Sequence, residues 1–289
     1  MSEAPLPPVE LANRVGQLVG SDGSYAGYET VGRQLRDVVV SALPPDWAWH
    51  GKRVLDFGCG AGRTLRHFIR EAEEAEFWGC DIDAASIEWL NANLNPPLRG
   101  FVNDEQPPLP KPDSSFDLIY AFSVFTHITE EWSTWLLEIH RLLTSDGLLI
   151  ASFLGEGMSQ SVAGEPWVED RVGMNVLNVD QGWKRGGPMV MMSPWWIREH
   201  WGRAFEIIRL IPGSAPGHHG LVVARPRPTA PSRAELERID PGELREIAAL
   251  RHNIRQVQRE SAATRESFES SRSWRLTAPV RRLGAWRRR

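Results

Sequence analysis

Short apolar runs alternate along this chain with stretches of three-to-four periodicity, and that alternation predicts strands and helices in turn. Residues 37–43 read as the end of a helix, which Pro44 and Pro45 stop. Residues 53–57 form a buried strand, and a glycine turn leads to a helix over 62–73. A strand over 77–81, a helix over 84–93 and a weak strand over 99–103 follow. Residues 116–122 are a strong strand. Trp132, Trp135, Leu136, Ile139, Leu142 and Leu143 mark a helix over 132–143, and Ser145-Asp-Gly147 turns into a strand over 148–153. A helix over 194–203 and strands over 205–211 and 219–224 complete the pattern. Strand–helix alternation of this kind builds an α/β fold with a mostly parallel sheet.

Three segments depart from the rhythm. Residues 1–50 are mixed and stand before the domain of residues 51–225. Residues 155–196 carry Trp167, Trp183, Trp195 and Trp196 with Met189, Met191 and Met192, without a clear period. An insertion this late suits a lid or acceptor site, and its aromatic faces suit stacking on a sugar or packing in the core. Residues 226–232 are a proline-rich linker, and 233–289 a helical, basic tail. Asp240-Pro241 signals a helix start, and the helix runs to about Ser270. Its Ile247, Leu250, Ile254 and Val257 repeat at 3-4-3 spacing, which serves either pairing with a second subunit or docking on the domain.

Composition narrows the classes. The 289 residues are 42% apolar and 24% charged, enough for a sizeable core. Only Cys59 and Cys80 are present, so a disulfide scaffold is excluded and a reducing cytoplasm is the natural compartment. No apolar run approaches a membrane span, and residues 1–10 lack the pattern of a signal peptide. Net charge is −4, yet residues 271–289 hold seven arginines and no acid, which leaves −11 for residues 1–270. So acidic a body is a poor nucleic-acid binder. The tail interleaves arginines with Trp274, Leu276, Val280, Leu283 and Trp286, which suits an anionic membrane face or an acidic protein.

The densest chemical signal is Val54-Leu-Asp-Phe-Gly-Cys-Gly-Ala-Gly-Arg63. A strand ends at Asp56, and Gly58, Gly60 and Gly62 then let the backbone approach a ligand. A helix N-terminus there offers free N–H groups to an anion. Twenty-five residues on, Asp81 ends the second strand, where one carboxylate can take both hydroxyls of a ribose. A nucleoside-containing ligand fits this spacing. The dinucleotide fingerprint has two residues before its third glycine; here there is one.

Leu55-Asp-Phe-Gly-Cys-Gly-Ala-Gly-Arg63, Gly79-Cys-Asp-Ile-Asp83, Phe116-Asp-Leu-Ile-Tyr120, Ser123-Val-Phe-Thr-His127 and Glu138-Ile-His-Arg-Leu-Leu-Thr-Ser-Asp-Gly147 together resemble the class I S-adenosylmethionine-dependent methyltransferases, over roughly residues 20–225. The resemblance implies a doubly wound, seven-stranded Rossmann-like sheet. It implies that Asp56, Gly58, Cys59, Gly60 and Gly62 hold the methionine part of S-adenosyl-L-methionine. Asp81 would take the ribose, Ile82 would pack on adenine, and Asn103 and Asp104 would lie at the adenine edge. Ala121 and Ser123 would line the floor near the sulfonium, and Tyr25 and Tyr28 would cover the cofactor or pack as plain helix residues.

An alcohol acceptor needs a base. His127, just after the fourth strand, is the first candidate, with a loop-bracing role as its structural alternative. Glu130 and Glu131 come next but also fit as first-turn helix acids. His218 and His219 stand before the last strand, as an acceptor contact or a solvated hairpin pair, and His140 is placed as structural. Asn95-Pro-Pro-Leu98 lies in the wrong loop for a base-amino methyltransferase signature. Asp81-Ile-Asp83 is explained by the cofactor frame, and the histidines lack ligand spacing, so no metal site is expected. Ser271-Arg-Ser-Trp-Arg-Leu-Thr-Ala-Pro-Val-Arg-Arg-Leu283 resembles a C-terminal segment of bacterial enzymes of surface-polysaccharide assembly. That likeness directs the expected acceptor toward a sugar hydroxyl of a surface polysaccharide or lipid-linked glycan. A small-molecule acceptor and a non-catalytic cofactor-binding scaffold are the alternatives.

Overall fold

The computed structural model describes residues 4–271 and 274, apart from 15, 17, 165, 180, 182–185 and 216–218. Trp183, His218 and the basic tail beyond residue 274 therefore lie outside the described residues. In chain order the elements are α1 (Val9–Ala12), α2 (Ala26–Ala42), β1 (Arg53–Phe57), β2 (Glu76–Asp81), α3 (Ala84–Asn93), β3 (Arg99–Val102), β4 (Phe116–Ala121), α4 (Trp132–Leu142) and β5 (Leu143–Phe153). The short α5 (Glu156–Met158), β6 (Met174–Leu177), β7 (Met189–Met192), α6 (Pro194–Ala204), β8 (Phe205–Ala215), β9 (His219–Pro226), α7 (Arg233–Glu237) and α8 (Leu244–Ser270) follow.

Seven strands form one sheet in the order β3-β2-β1-β4-β5-β9-β8, and β6 pairs with β7 separately. The pairs from β3 to β5 are parallel, while β9 runs antiparallel between β5 and β8. Chain order reverses between β1 and β4, which opens a crevice beyond their C-terminal ends. Alternating residues along each strand serve opposite faces. Leu55, Phe57, Ile119, Ala121, Leu149 and Ala151 join the layer with α4 and α6. Val54, Leu118, Tyr120, Leu148 and Ile150 join the layer with α2 and α3. Both faces being covered explains why these strands read as apolar runs.

Four local expectations are corrected. The helix over 62–73 is instead two 3₁₀ turns, Leu65–Phe68 and Glu71–Glu73. Here α2 crosses so closely that a Cβ at Gly32 would collide with the Arg63 carbonyl oxygen, and the segment turns tightly through bonds such as His67 N–H to the Thr64 carbonyl. The turn at 145–147 is a bulge inside β5, where the register with β4 shifts between Phe116 and Leu118. Asp240 does not cap α8: its side chain accepts from Gly242 N–H and closes a turn, and Glu243 is the cap, accepting from Arg245 N–H. The stripe Ile247, Leu250, Ile254 and Val257 faces outward at 36, 40, 57 and 60% exposure. The helix docks by its other face, with Glu246, Ala249 and Gln256 buried.

Candidate functional site

The crevice is assembled at the C-terminal ends of β1, β2 and β4. Gly58 and Cys59 N–H both donate to the Cys80 carbonyl, which fastens the glycine loop to the end of β2. Gly58 has φ +81°, and a Cβ there would collide with Val124, so only glycine fits. Gly60, at φ +53°, faces open space where its side chain would stand. The Cys59 thiol is buried, and burial pushes its pKa up, so it serves as packing.

Asp56 lies at the back of this cradle, opposite Tyr120 in the β1–β4 register. It is 4% exposed, and neither its Oδ2 nor the Tyr120 hydroxyl has a hydrogen-bond partner. Burial pushes the Asp56 carboxyl up to about 8, against the pull of the nearby Tyr120 hydroxyl and the Arg63 guanidinium. Arg63 Nε is likewise buried without a partner. Because the segment after the loop is 3₁₀ and short, the helix dipole there is weak, and Arg63 supplies the local positive charge instead.

Asp81 stands beside the loop. Its Oδ2 accepts from Gly60 N–H at 2.8 Å, and its Oδ1 from Asp83 N–H at 2.9 Å and from Arg14 Nη1 at 3.0 Å. Arg14 also meets Asp83 at 3.2 Å, so the segment before α2 reaches over the end of β2. Beyond Asp81, the side chains of Ile82 and Val102 are exposed. Asn103 is buried there, donating to the Asp104 carbonyl while its Oδ1 has no partner, and Asp104 itself is exposed.

At the β4 end, Ser123 holds φ +59°, a left-handed conformation unusual for serine and of the kind found at functional loops. Its N–H donates to Ser152 Oγ at 2.8 Å, and Ser152 Oγ lies 3.3 Å from His219 Nδ1. Ser123 Oγ lies 3.4 Å from His127 Nε2, while His127 Nδ1 meets the Pro188 carbonyl at 2.7 Å. A carbonyl only accepts, so Nδ1 carries the proton and Nε2 the lone pair. Burial lowers the His127 pKa, partly offset by the Pro188 carbonyl. The His219 pKa falls to about 4, through burial first and then the charges of His127 and Arg63.

Of the residues singled out from sequence, Asp56, Gly58, Cys59, Gly60, Asp81, Ile82, Asn103, Ser123 and His127 stand around this crevice, whereas Gly62 faces Leu90 and Leu94 of α3 and Ala121 is buried in the core. Tyr28 is buried near Arg63 and Cys59. Tyr25 meets Tyr28 edge-on and donates to the Pro7 carbonyl. Glu130 accepts from Thr129 and Glu131 from Thr134 and Arg233, away from the crevice. Trp195 and Trp196 belong to the core, Trp196 stacking on His200. His140 bonds the Arg227 carbonyl. Arg14, Arg63, Tyr120 and Ser152 were not singled out. Arg63 directly follows the last glycine and was within reach; nothing in the local pattern marks Arg14.

Residues 55–149 match the family described as methyltransferase domain. This span is therefore similar to methyltransferase domains. A phthiotriol/phenolphthiotriol dimycocerosates methyltransferase of Mycobacterium ulcerans is 30% identical over 131 residues, 45% of this chain and 46% of that protein. A fatty-acid O-methyltransferase of Mycolicibacterium smegmatis is 29% identical over 100 residues, 35% of this chain and 36% of that protein. The chain thus spans about half the length, or less, of these curated relatives. A Burkholderia thailandensis 1,6-didemethyltoxoflavin N1-methyltransferase, solved with bound 1,6-didemethyltoxoflavin and S-adenosylhomocysteine, has TM-score 0.51 at 16% identity, covering 78% of this chain and 93% of that one. That likeness shows a shared fold. The matched span contains the glycine loop, both crevice acids and His127, while Ser152 and His219 lie outside it.

Proposed function

We propose that this chain binds S-adenosyl-L-methionine in the β1–β4 crevice and methylates a hydroxyl oxygen. The observation that carries the reading is Asp56 Oδ2, a buried carboxyl oxygen without a partner at the back of an open glycine cradle. Asp56 suits the ligand ammonium and Arg63 its carboxylate. Asp81 suits the ribose hydroxyls, with Ile82 and Val102 along the adenine and Asn103 Oδ1 toward its amine. Tyr28, next to the loop, covers the methionine end, and Tyr25 braces it. Ala121 and Ser123 form the floor beneath the sulfonium.

When bound, the cofactor supplies an activated methyl; the protein aligns the acceptor and removes its proton. His127 does the second task. Its Nε2 lone pair points toward Ser123, its proton is tied to Pro188, and its lowered pKa keeps it neutral at pH 7. The acceptor we propose is a sugar hydroxyl of a surface polysaccharide or lipid-linked glycan, supported by the likeness of residues 271–283 to polysaccharide-assembly enzymes. The basic end of the chain would then meet an anionic membrane face. A second reading, favoured by the fatty-acid O-methyltransferase relative, takes a carboxylate, which needs no base.

The test is transfer of tritiated methyl from labelled cofactor into glycan, lipid and small-molecule fractions. Label in the glycan fraction that His127→Ala abolishes supports the first reading. Label on carboxylates that survives His127→Ala supports the second. Tight cofactor binding with no transfer to any fraction overturns both and leaves a cofactor-binding scaffold.

A further inference from the structure

A second cavity lies away from the glycine loop, between the insertion and α8. Its volume is about 670 Å³, within the range of about 300–1,000 Å³ usual for small-molecule sites. The floor is apolar: Ala163, Pro166, Val168, Val172 and Met191 line it, with Val172 and Met191 buried. The rim carries three arginines and a histidine. Arg171 comes from the insertion, and His252, Arg255 and Arg259 project from one face of α8, spaced three and four residues apart. No carboxylate lines the cavity among the described residues.

Four neighbouring acids are engaged elsewhere. Glu246 bonds His200, Glu260 accepts from Gln256, Glu169 accepts from Trp167, and Glu243 holds Arg245. Neither Arg171 nor Arg255 has a carboxylate within ion-pair distance among the described residues. The base of the cavity is held by Asn175, which is buried and donates to Gln256 of α8. Helix and insertion are thus bonded together below the opening. A row of arginines on a helix is ordinarily just a solvated face. An apolar hollow beneath the row is not, because water gains nothing from that lining.

We propose that this cavity binds an anionic amphiphile, an alkyl chain ending in a carboxylate or phosphate. The chain would lie along Val168, Val172 and Met191, and the anionic end would meet the guanidinium groups of Arg171, Arg255 and Arg259. Arginine suits both oxyanions because its planar fork can bond two oxygens at once. The site does not depend on the methyl-transfer reading, since it shares no lining residue with the β1–β4 crevice.

The test is calorimetry on the full chain with four probes, each kept below its micelle concentration: dodecyl phosphate, dodecanoate, octyl glucoside and inorganic phosphate. Dodecyl phosphate or dodecanoate should bind at one per chain and at least tenfold tighter than either other probe. The preferred one tells a phosphorylated lipid from a fatty acid. The double variant Arg171→Glu, Arg255→Glu should weaken that binding at least tenfold while leaving octyl glucoside unchanged. S-adenosylhomocysteine binding by the same variant, unchanged, shows that the fold and the crevice are intact. Equal binding of octyl glucoside, equal binding of inorganic phosphate, or insensitivity to the charge reversal would each overturn the proposal. Loss of S-adenosylhomocysteine binding by the unsubstituted chain would instead strike the cofactor reading and leave this one standing.

Discussion

Asp56 is held protonated at neutral pH by its burial, since its pKa is raised from 3.8 to about 8. A carboxyl raised on folding contributes stability that is complete in acid and lost as pH climbs through the folded value. The ligand-free chain should therefore lose stability between about pH 4 and pH 8, and Asp56→Asn should flatten that slope in denaturant titrations. Binding an ammonium requires the ionised form, so affinity for S-adenosylhomocysteine should rise toward roughly tenfold per pH unit below about pH 8. Asp56→Asn should remove that dependence; calorimetry from pH 6 to 9 checks it. Asp81→Ala should weaken the same ligand at least tenfold, since it deletes charge-assisted bonds to the ribose. Arg14 occupies one of the same carboxylate oxygens. As a half-exposed ion pair is worth about 0.2–1 kcal/mol, Arg14→Ala should tighten binding up to about fivefold. His127→Ala should lower turnover by about 10²-fold or more with cofactor affinity nearly unchanged, if the acceptor is a hydroxyl. Asp56 and Asp81 at the ends of strands, and His127 just after one, were readable from position. The ionisation of Asp56 and His127 was not, because it depends on which apolar side chains and charges surround each group.

Among the elements, strands were the most legible. Residues 53–57 and 84–93 match β1 and α3 in extent, because burial on both sheet faces or a firm cap leaves a plain local pattern. Asp83 caps α3 by accepting from Ser86 N–H, a signal carried by adjacent residues. The segment after the glycine loop failed as a helix because its geometry answers to α2, packed against it from a distant part of the chain. The exposed stripe on α8 failed as a guide to burial for a related reason. The docked face is chosen by polar partners: His200 Nδ1 meets the Leu236 carbonyl at 3.0 Å and its Nε2 meets Glu246 at 2.7 Å, both buried. Glu246→Leu should then leave a buried ring nitrogen of His200 without its partner, at a cost of about 1–3 kcal/mol in equilibrium unfolding. Amide exchange should also quicken along α8.

For the molecule as a whole, three distant stretches close over the crevice. The segment before α2 anchors on the 3₁₀ turns through Arg66, which donates to the Pro5 and Ala4 carbonyls. The β8–β9 pair brings His219 to Ser152, and the insertion brings Pro188 to His127. A ligand spanning these parts should stabilise the whole fold. S-adenosylhomocysteine at 100 times its Kd should add about 2.7 kcal/mol, raising the melting temperature by several degrees in scanning calorimetry. No helix among the described residues is long and apolar enough to cross a membrane.

The sequence by itself determined the α/β alternation, the glycine loop with its two acids and the histidine after β4, because each is written in residues near one another in the chain. Tertiary structure alone decided that Arg14 reaches Asp81, that Pro188 sets the tautomer of His127, that α8 turns its apolar stripe outward, and that an arginine-rimmed hollow opens beneath it. Those outcomes join segments tens of residues apart. Such pairings are selected by packing and by the satisfaction of buried polar groups, neither of which leaves a local trace in the order of amino acids.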